Sequence, residues 1–436
     1  MNRTLYETNR KAFLEALGKD AAIVFSAEHH LRNGDAEYLY RQNSDFLYLS
    51  GWKDPDAVLL FRPQSEQPFV MFVQPKDRSK EIWTGRRPGP VGAVEDFGAS
   101  AAYPISELRK RLPSLLQGFP RLHHCFAQNA ENDKILMKAL ASARKLAKGN
   151  GMSYPEVFLD LSHTLHRLRL YKRPEEIEIM RKAAAITNEA HRAAMTITKP
   201  GVHEYELESI ISHTFRKNGA VGTGYTSIVG GGENAVILHY IENDAVLEDD
   251  TLVCVDAGCE YQWYTADVTR TWPVNGTFNS AQKRLYEAVL KSQYAAIDAA
   301  RVGNQFLDVH HAAIESLVES LIELGFLEGE VQEHVAEQSY RKWYMHGTSH
   351  WLGMDVHDVG PYAAMGESIA LEPGMVLTIE PGLYVAGDDE DAPEEFRGMG
   401  IRIEDDILIS ADGPVNLTEA VPKTVADIEA HMGAAQ

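Results

Sequence analysis

TLVCVDAGCEYQWYTADVTRTW, residues 251–272, ends one apolar β run on Asp256 and carries Asp267 eleven residues later inside a second. Side chains alternate along a strand, so Asp267, Thr269 and Thr271 share one face, and a hairpin through Gly258 brings the two carboxylates together. A lone aspartate in such a place usually opens a turn or pairs with a neighbour, here Arg270. Val253, Val255 and Val268 half-bury this pair, however, and buried carboxylates side by side cost too much without a cation. The stretch therefore predicts β structure organised around a metal site.

Three segments downstream supply further candidate ligands. In HGTSHWLGMDVHD (346–358), His346, His350 and His357 fall within twelve residues, with Gly347 and Gly353 letting the backbone turn. One imidazole can ligate a metal while the others donate hydrogen bonds or carry protons. In GMVLTIEPGLY (374–384), Glu380 shares a strand face with Thr378 and Val376, the strand stops at Pro381-Gly382, and Tyr384 follows. GIRIEDDILIS (400–410) sets Arg402 and Glu404 two apart on one face, where a cross-strand salt bridge is the ordinary explanation. Asp256, Asp267, His350, Glu380 and Glu404 together form a hard, oxygen-rich set. Such a set favours two Mn²⁺ ions, with Co²⁺, Mg²⁺, Fe²⁺ or Zn²⁺ as substitutes, over a thiolate zinc site or calcium. A pair of ions about 3.5–4 Å apart would hold a bridging hydroxide and polarise a carbonyl, which points to hydrolysis of an acyl bond.

Around these motifs, helical patterns (YELESIISHTFRKNGA, AQKRLYEAVLKSQYAAIDAARVG, HHAAIESLVESLIELGF) alternate with β runs, predicting a mainly antiparallel sheet backed by helices. Upstream, AAIVFSA, DAVLLF and FVMFV read as strands and ISELRKRLPSLLQ and ENDKILMKALASARKLA as helices, so the N-terminal domain is mixed α/β. The whole is an α/β (α+β) protein of two domains, 1–165 and 166–436, and Pro174-Glu175-Glu176 starts a helix just past the join. The net charge of −21 repels phosphate backbones and anionic lipid, which argues against nucleic acid as a partner. No apolar stretch reaches membrane-span length and the N-terminus has no signal-like apolar run, so no membrane partner and a cytoplasmic location are expected. Cys125, Cys254 and Cys259 form no C-x-x-C pair and read as buried small residues.

With these motifs assembled, the chain closely resembles the Xaa-Pro aminopeptidases (aminopeptidase P) of the proline-peptidase group, whose catalytic domain has the pita-bread fold. HGTSHWLGMDVHD is the most specific piece, supported in order by VDAG, TADVTRTW, TIEPGLY and GIRIEDD; YRQNSDFLYLSGW (40–52) and EIWTGRRPG (81–89) resemble the family's N-terminal domain. The resemblance implies that Asp256 chelates one metal, His350 and Glu380 hold the other, and Asp267 and Glu404 bridge them. It also implies that His239 (in VILHYIEND) and His357 contact the substrate and developing oxyanion, with His346, Tyr384 and Arg402 lining a pocket for the proline ring. By the same likeness the protein forms a homodimer or homotetramer, in which Trp83 either reaches a neighbouring subunit's site or serves ordinary core or surface packing. The implied substrates are peptides with proline at the second position. An X-Pro amide lacks the N–H that many peptidases bind and has a fixed φ, which suits a ring-shaped pocket. A prolidase restricted to Xaa-Pro dipeptides would share every ligand, and a non-catalytic pita-bread peptide-binding module is the alternative from another class.

Overall fold

The structure is a computed structural model that describes residues 3–434. The chain divides into two compact units, Met1–Leu168 and Arg169–Gln436. In the first, six strands lie in the order Ala101–Pro104, Phe69–Val73, Val58–Phe61, Ala21–Phe25, Arg121–His123, Val157–Leu159. The pairings on either side of Val58–Phe61 are antiparallel and the outer ones parallel. Both faces are covered. Ile23, Leu60, Val70 and Phe72 pack with Leu112, Leu136 and Leu140 from the helices Leu108–Leu115 and Ala130–Asn150. Phe13 of the helix Arg3–Leu17 meets Phe61 edge-on, 5.0 Å between centroids, on the other side. Burial on two faces is why these strands are continuous apolar runs rather than alternating ones.

The second unit contains two helix pairs, each followed by antiparallel strands. Pro174–Ile197 and Glu204–Lys217 precede a sheet of Ile228–Gly231, Leu252–Asp256 and Thr269–Pro273. Ser280–Ala299 and Phe306–Glu323 precede Val376–Ile379 paired with Asp405–Ser410, and Gly382–Val385 paired with Met399–Arg402. Pro174 occupies the first helical turn as expected, and the Arg173 N–H donates to the Glu176 carboxylate at 2.9 Å. The helix face Ala183, Ile186, Ala190, Ala194 lies in the same core as Val253, Val255 and Trp272. A second core of Phe306, Trp351, Leu377, Ile379 and Ile407 sits under the strands that flank Glu380 and Glu404. Cys254 and Cys259 are buried thiols, but Cys125 is only half-buried, correcting the expectation for it. No helix among the described residues is long and apolar enough to cross a membrane.

Candidate metal centre

The hairpin of residues 252–273 forms, but its turn is not at Gly258. The chain reverses at Gln262–Trp263, both at positive φ (49° and 71°) as a two-residue hairpin loop demands, with Tyr261 opposite Tyr264. Gly258 instead marks where the two arms cross so closely that a Cβ there would lie 1.7 Å from the Ala266 carbonyl oxygen. The second arm is also interrupted: strands end at Thr265 and resume at Thr269, leaving Asp267 in the gap. The gap frees the Asp267 side chain from strict alternation, and its N–H donates to the Asp406 carboxylate at 3.2 Å. Arg270 does not pair with Asp267; it is buried against Asp405 at 2.6 Å.

Across from the hairpin, the strands Val376–Ile379 and Met399–Arg402 deliver the glutamates from just past their ends. Asp267, His350 and Glu404 each offer an atom within 4.8 Å of the others, close to the span of two ligands across one ion with bonds of about 2.2 Å. His350 Nε2 is 3.4 Å from Asp267 Oδ2 and 3.5 Å from Glu380 Oε1, so Glu380 joins the cluster through the imidazole. Asp256 is turned toward Arg402, whose Nη2 donates at 2.9 Å, and Tyr225, whose hydroxyl donates to the other carboxylate oxygen. A salt bridge of Arg402 therefore exists, not across its own strand pair but to a proposed ligand at the end of Leu252–Asp256, in another sheet.

Electrostatics show what this crowding costs. Burial, then repulsion from Asp267, Glu380 and Asp256, pushes Glu404 well above the carboxylate range. Burial and the charge of Asp267 raise Glu380 against the pull of His350 and Arg402. Burial also raises Asp256, although Arg402 opposes it. His350 moves the other way from its burial: the hydrogen bond to Asp267 and the charges of Glu380 and Asp267 push it up to about 9. The same negative field that holds a proton on His350 would be met by divalent cations, which identifies the donor set as one that fits them.

The remaining candidates line the adjoining wall. Arg402 Nη1 donates to the Tyr384 hydroxyl at 3.1 Å, and His346 Nε2 lies 2.8 Å from the same oxygen. His346 is depressed to about 4 by burial, then by Arg402, so it is a neutral group. The His357 ring stands perpendicular to His350 at 4.4 Å. Burial, then the charge of His350, lowers His357, and His239 contributes to the depression of both His346 and His357, placing it near them. Trp83 belongs to the other unit, on the helix Arg78–Thr84, which has no buried residue; Trp83 itself is 87% exposed.

Several residues escaped the sequence reading. Thr269 Oγ1 donates to Glu404 Oε2 at 2.7 Å and accepts from Arg402 Nε at 3.0 Å, coupling a candidate ligand to the arginine. Its position two residues from Asp267 on the expected face was a usable signal. Asp406, two residues beyond Glu404 on the same alternation, carried the same signal; Tyr225 carried none, since it reaches the cluster only through long-range packing.

Comparison with known proteins gives a consistent result. Residues 178–411 match Metallopeptidase family M24, and residues 6–123 match Aminopeptidase P, N-terminal domain. The chain is 44% identical to the Xaa-Pro aminopeptidase of Escherichia coli (strain K12), over 100% of this chain and 99% of the relative. It is 40% identical to that of Haemophilus influenzae, over 97% and 95% respectively. Among solved structures, aminopeptidase PepP of Pseudomonas aeruginosa superposes with TM-score 0.97 at 42% identity, covering 100% of this chain and 99% of that one. Zinc-substituted Escherichia coli aminopeptidase P in complex with product superposes with TM-score 0.96 at 43% identity, with the same coverage.

Proposed function

This chain belongs to metallopeptidase family M24, in the branch of the Xaa-Pro aminopeptidases, and we propose that it removes the N-terminal residue from peptides whose second residue is proline. One observation carries the reading: Asp267, His350, Glu380 and Glu404 converge in a buried cluster directly beside the Arg402–Tyr384–His346 wall. Asp256, Asp267, His350, Glu380 and Glu404 would hold two divalent ions, manganese by preference, with Asp256 on one, His350 and Glu380 on the other, and Asp267 and Glu404 between. When bound, such ions supply Lewis acidity that polarises a scissile carbonyl and acidifies water.

The protein's own groups supply the rest. Glu380 Oε2, 3.8 Å from His346 Nδ1, is placed to take a proton at the reacting centre and pass it toward the leaving nitrogen. His357 and His239 present ring N–H groups to the substrate carbonyl, where negative charge grows. The ring of His346, the Tyr384 ring and the Arg402 guanidinium bound a slot for the pyrrolidine, whose nitrogen has no hydrogen to satisfy. The acidic cluster attracts the free amine of the substrate, which confines cleavage to the terminal residue. Exposed Trp83 suits a contact with a second copy in a dimer or tetramer, and three free thiols accord with the cytoplasm.

The test compares turnover of an Xaa-Pro-Yaa tripeptide, its Xaa-Ala-Yaa counterpart and the Xaa-Pro dipeptide, before chelation, after it, and after manganese is restored. The tripeptide with proline should be cleaved fastest, and only with metal. Preference for the dipeptide would make the protein a prolidase; turnover indifferent to chelation would remove it from metal chemistry altogether.

A further inference from the structure

We propose that Glu204 is a positioning residue for His239, a role that rests on reading His239 as a substrate-contacting group. Glu204 is the first residue of the helix Glu204–Lys217 and is fully buried. Its carboxylate bridges the two ends of one loop. Oε1 accepts from the Gly231 N–H at 2.8 Å and Asn234 Nδ2 at 3.0 Å, where the loop begins. Oε2 accepts from the Tyr240 hydroxyl and the Ala245 N–H, both at 2.9 Å, where it ends. His239 lies between, next to Tyr240.

All four donors are neutral, so the carboxylate gains no ion-pair attraction from them, and burying it buys order rather than bulk stability. Other contacts tighten the same loop. The Glu204 N–H donates to the Ala245 carbonyl at 2.9 Å. Asn243 accepts from the Val229 N–H at 2.9 Å and donates to the Ser227 carbonyl at 2.9 Å and Glu208 at 3.0 Å. The loop's start is pressed onto the strand bearing Arg402: a Cβ at Gly400 would lie 2.0 Å from the Ala235 carbonyl oxygen. Strand Met399–Arg402 and Glu204 thus both hold the segment, which carries the exposed His239 ring. An unclamped loop would leave that ring misplaced relative to a substrate bound at the metal cluster, and small misplacements of a catalytic contact are expensive in rate.

The test is steady-state kinetics on an Xaa-Pro-Yaa tripeptide with manganese-supplemented E204Q, Y240F, H239A and the double variants that combine either of the first two with H239A. Metal content and thermal unfolding are recorded for each. E204Q turns one oxygen into an amide that faces donors, and should lower kcat about tenfold or more while KM changes little, because a contact to developing charge acts in the transition state. Y240F, which removes one donor, should move kcat the same way by less. In the H239A background neither substitution should add a further loss. The inference is overturned if folded, metal-loaded E204Q keeps wild-type kcat, or if its loss multiplies with that of H239A. Should E204Q fail to fold, Y240F and its double variant carry the same comparison. An H239A enzyme with unchanged kcat would overturn the reading of His239 and this inference with it; impaired H239A beside unimpaired E204Q overturns this inference alone.

Discussion

Two residues, Gly258 and His191, set tolerances around the hairpin that carries Asp256 and Asp267. Adding a methyl group at Gly258 would place it 1.7 Å from the Ala266 oxygen, and backbone on both sides must give. Gly258→Ala is therefore expected to cost about 1–3 kcal/mol and to weaken metal binding as the aspartates separate. Denaturant unfolding and metal titration check it, and wild-type values in both would refute the crossing as a constraint. Next to it, His191 is 0% exposed and its Nε2 donates to the Ala257 carbonyl at 3.0 Å. Burial lowers its pKa from 6.5 to about 4. Between those pH values the unfolded chain binds the proton that the folded chain refuses, so stability is complete above about pH 6.5 and declines as pH falls toward 4. The decline from this one group amounts to at most about 3 kcal/mol. Unfolding of chelated protein at pH 7.5 and 5 should show it, with a shallower decline in His191→Gln; identical slopes would contradict the assignment.

The strand Thr269–Pro273 is held by a buried knot. Arg270 donates to Asp405 at 2.6 Å and to the Pro422 carbonyl at 3.1 Å, while Lys423 meets Asp405 at 2.7 Å. These cations keep Asp405 far below the usual carboxylate range against its burial. Arg270→Met removes one of the two cations on Asp405 and leaves Asp405 Oδ1 and the Pro422 and Glu404 carbonyls short of a buried donor, and should cost about 3–5 kcal/mol; a loss under about 1 kcal/mol by chemical denaturation would show that the knot is not holding the strand. At this scale the sequence was a good guide where one rule dominated. Apolar runs marked the buried strands of both units, and Pro174 marked a helix start, because burial and the missing proline N–H act locally. It was a poor guide to the interruption at Ala266–Val268. The residues there continue the alternation, and what breaks the strand is the hydrogen bond of Asp267 to Asp406, 139 residues away. The ligand candidates were readable from their spacing and chemistry. Glu204 was not, since a glutamate opening a helix ordinarily serves the helix dipole and nothing nearby reveals four distant donors.

For the whole molecule, the decisive fact is an excess of buried acid. Asp256, Asp267, Glu380, Glu404 and Asp406 face Arg402 and His350, and the protein answers by raising the pKa values of Asp256, Glu380, Glu404 and Asp406 and holding a proton on His350. Metal binding should then expel protons and weaken as pH falls from 7.5 to 5. Calorimetric titration in buffers of different ionisation enthalpy measures that release; binding with no proton exchange would contradict the electrostatic account. Bound metal should also raise the unfolding free energy of the folded chain, by about 2.7 kcal/mol at a free concentration one hundred times Kd. The most direct test of the central claim is anomalous diffraction from crystals of the protein grown with manganese, recorded on both sides of the absorption edge. Two manganese peaks are expected, bounded by Asp256, Asp267, His350, Glu380 and Glu404. A single peak, or none among those residues, would contradict the paired-cation centre.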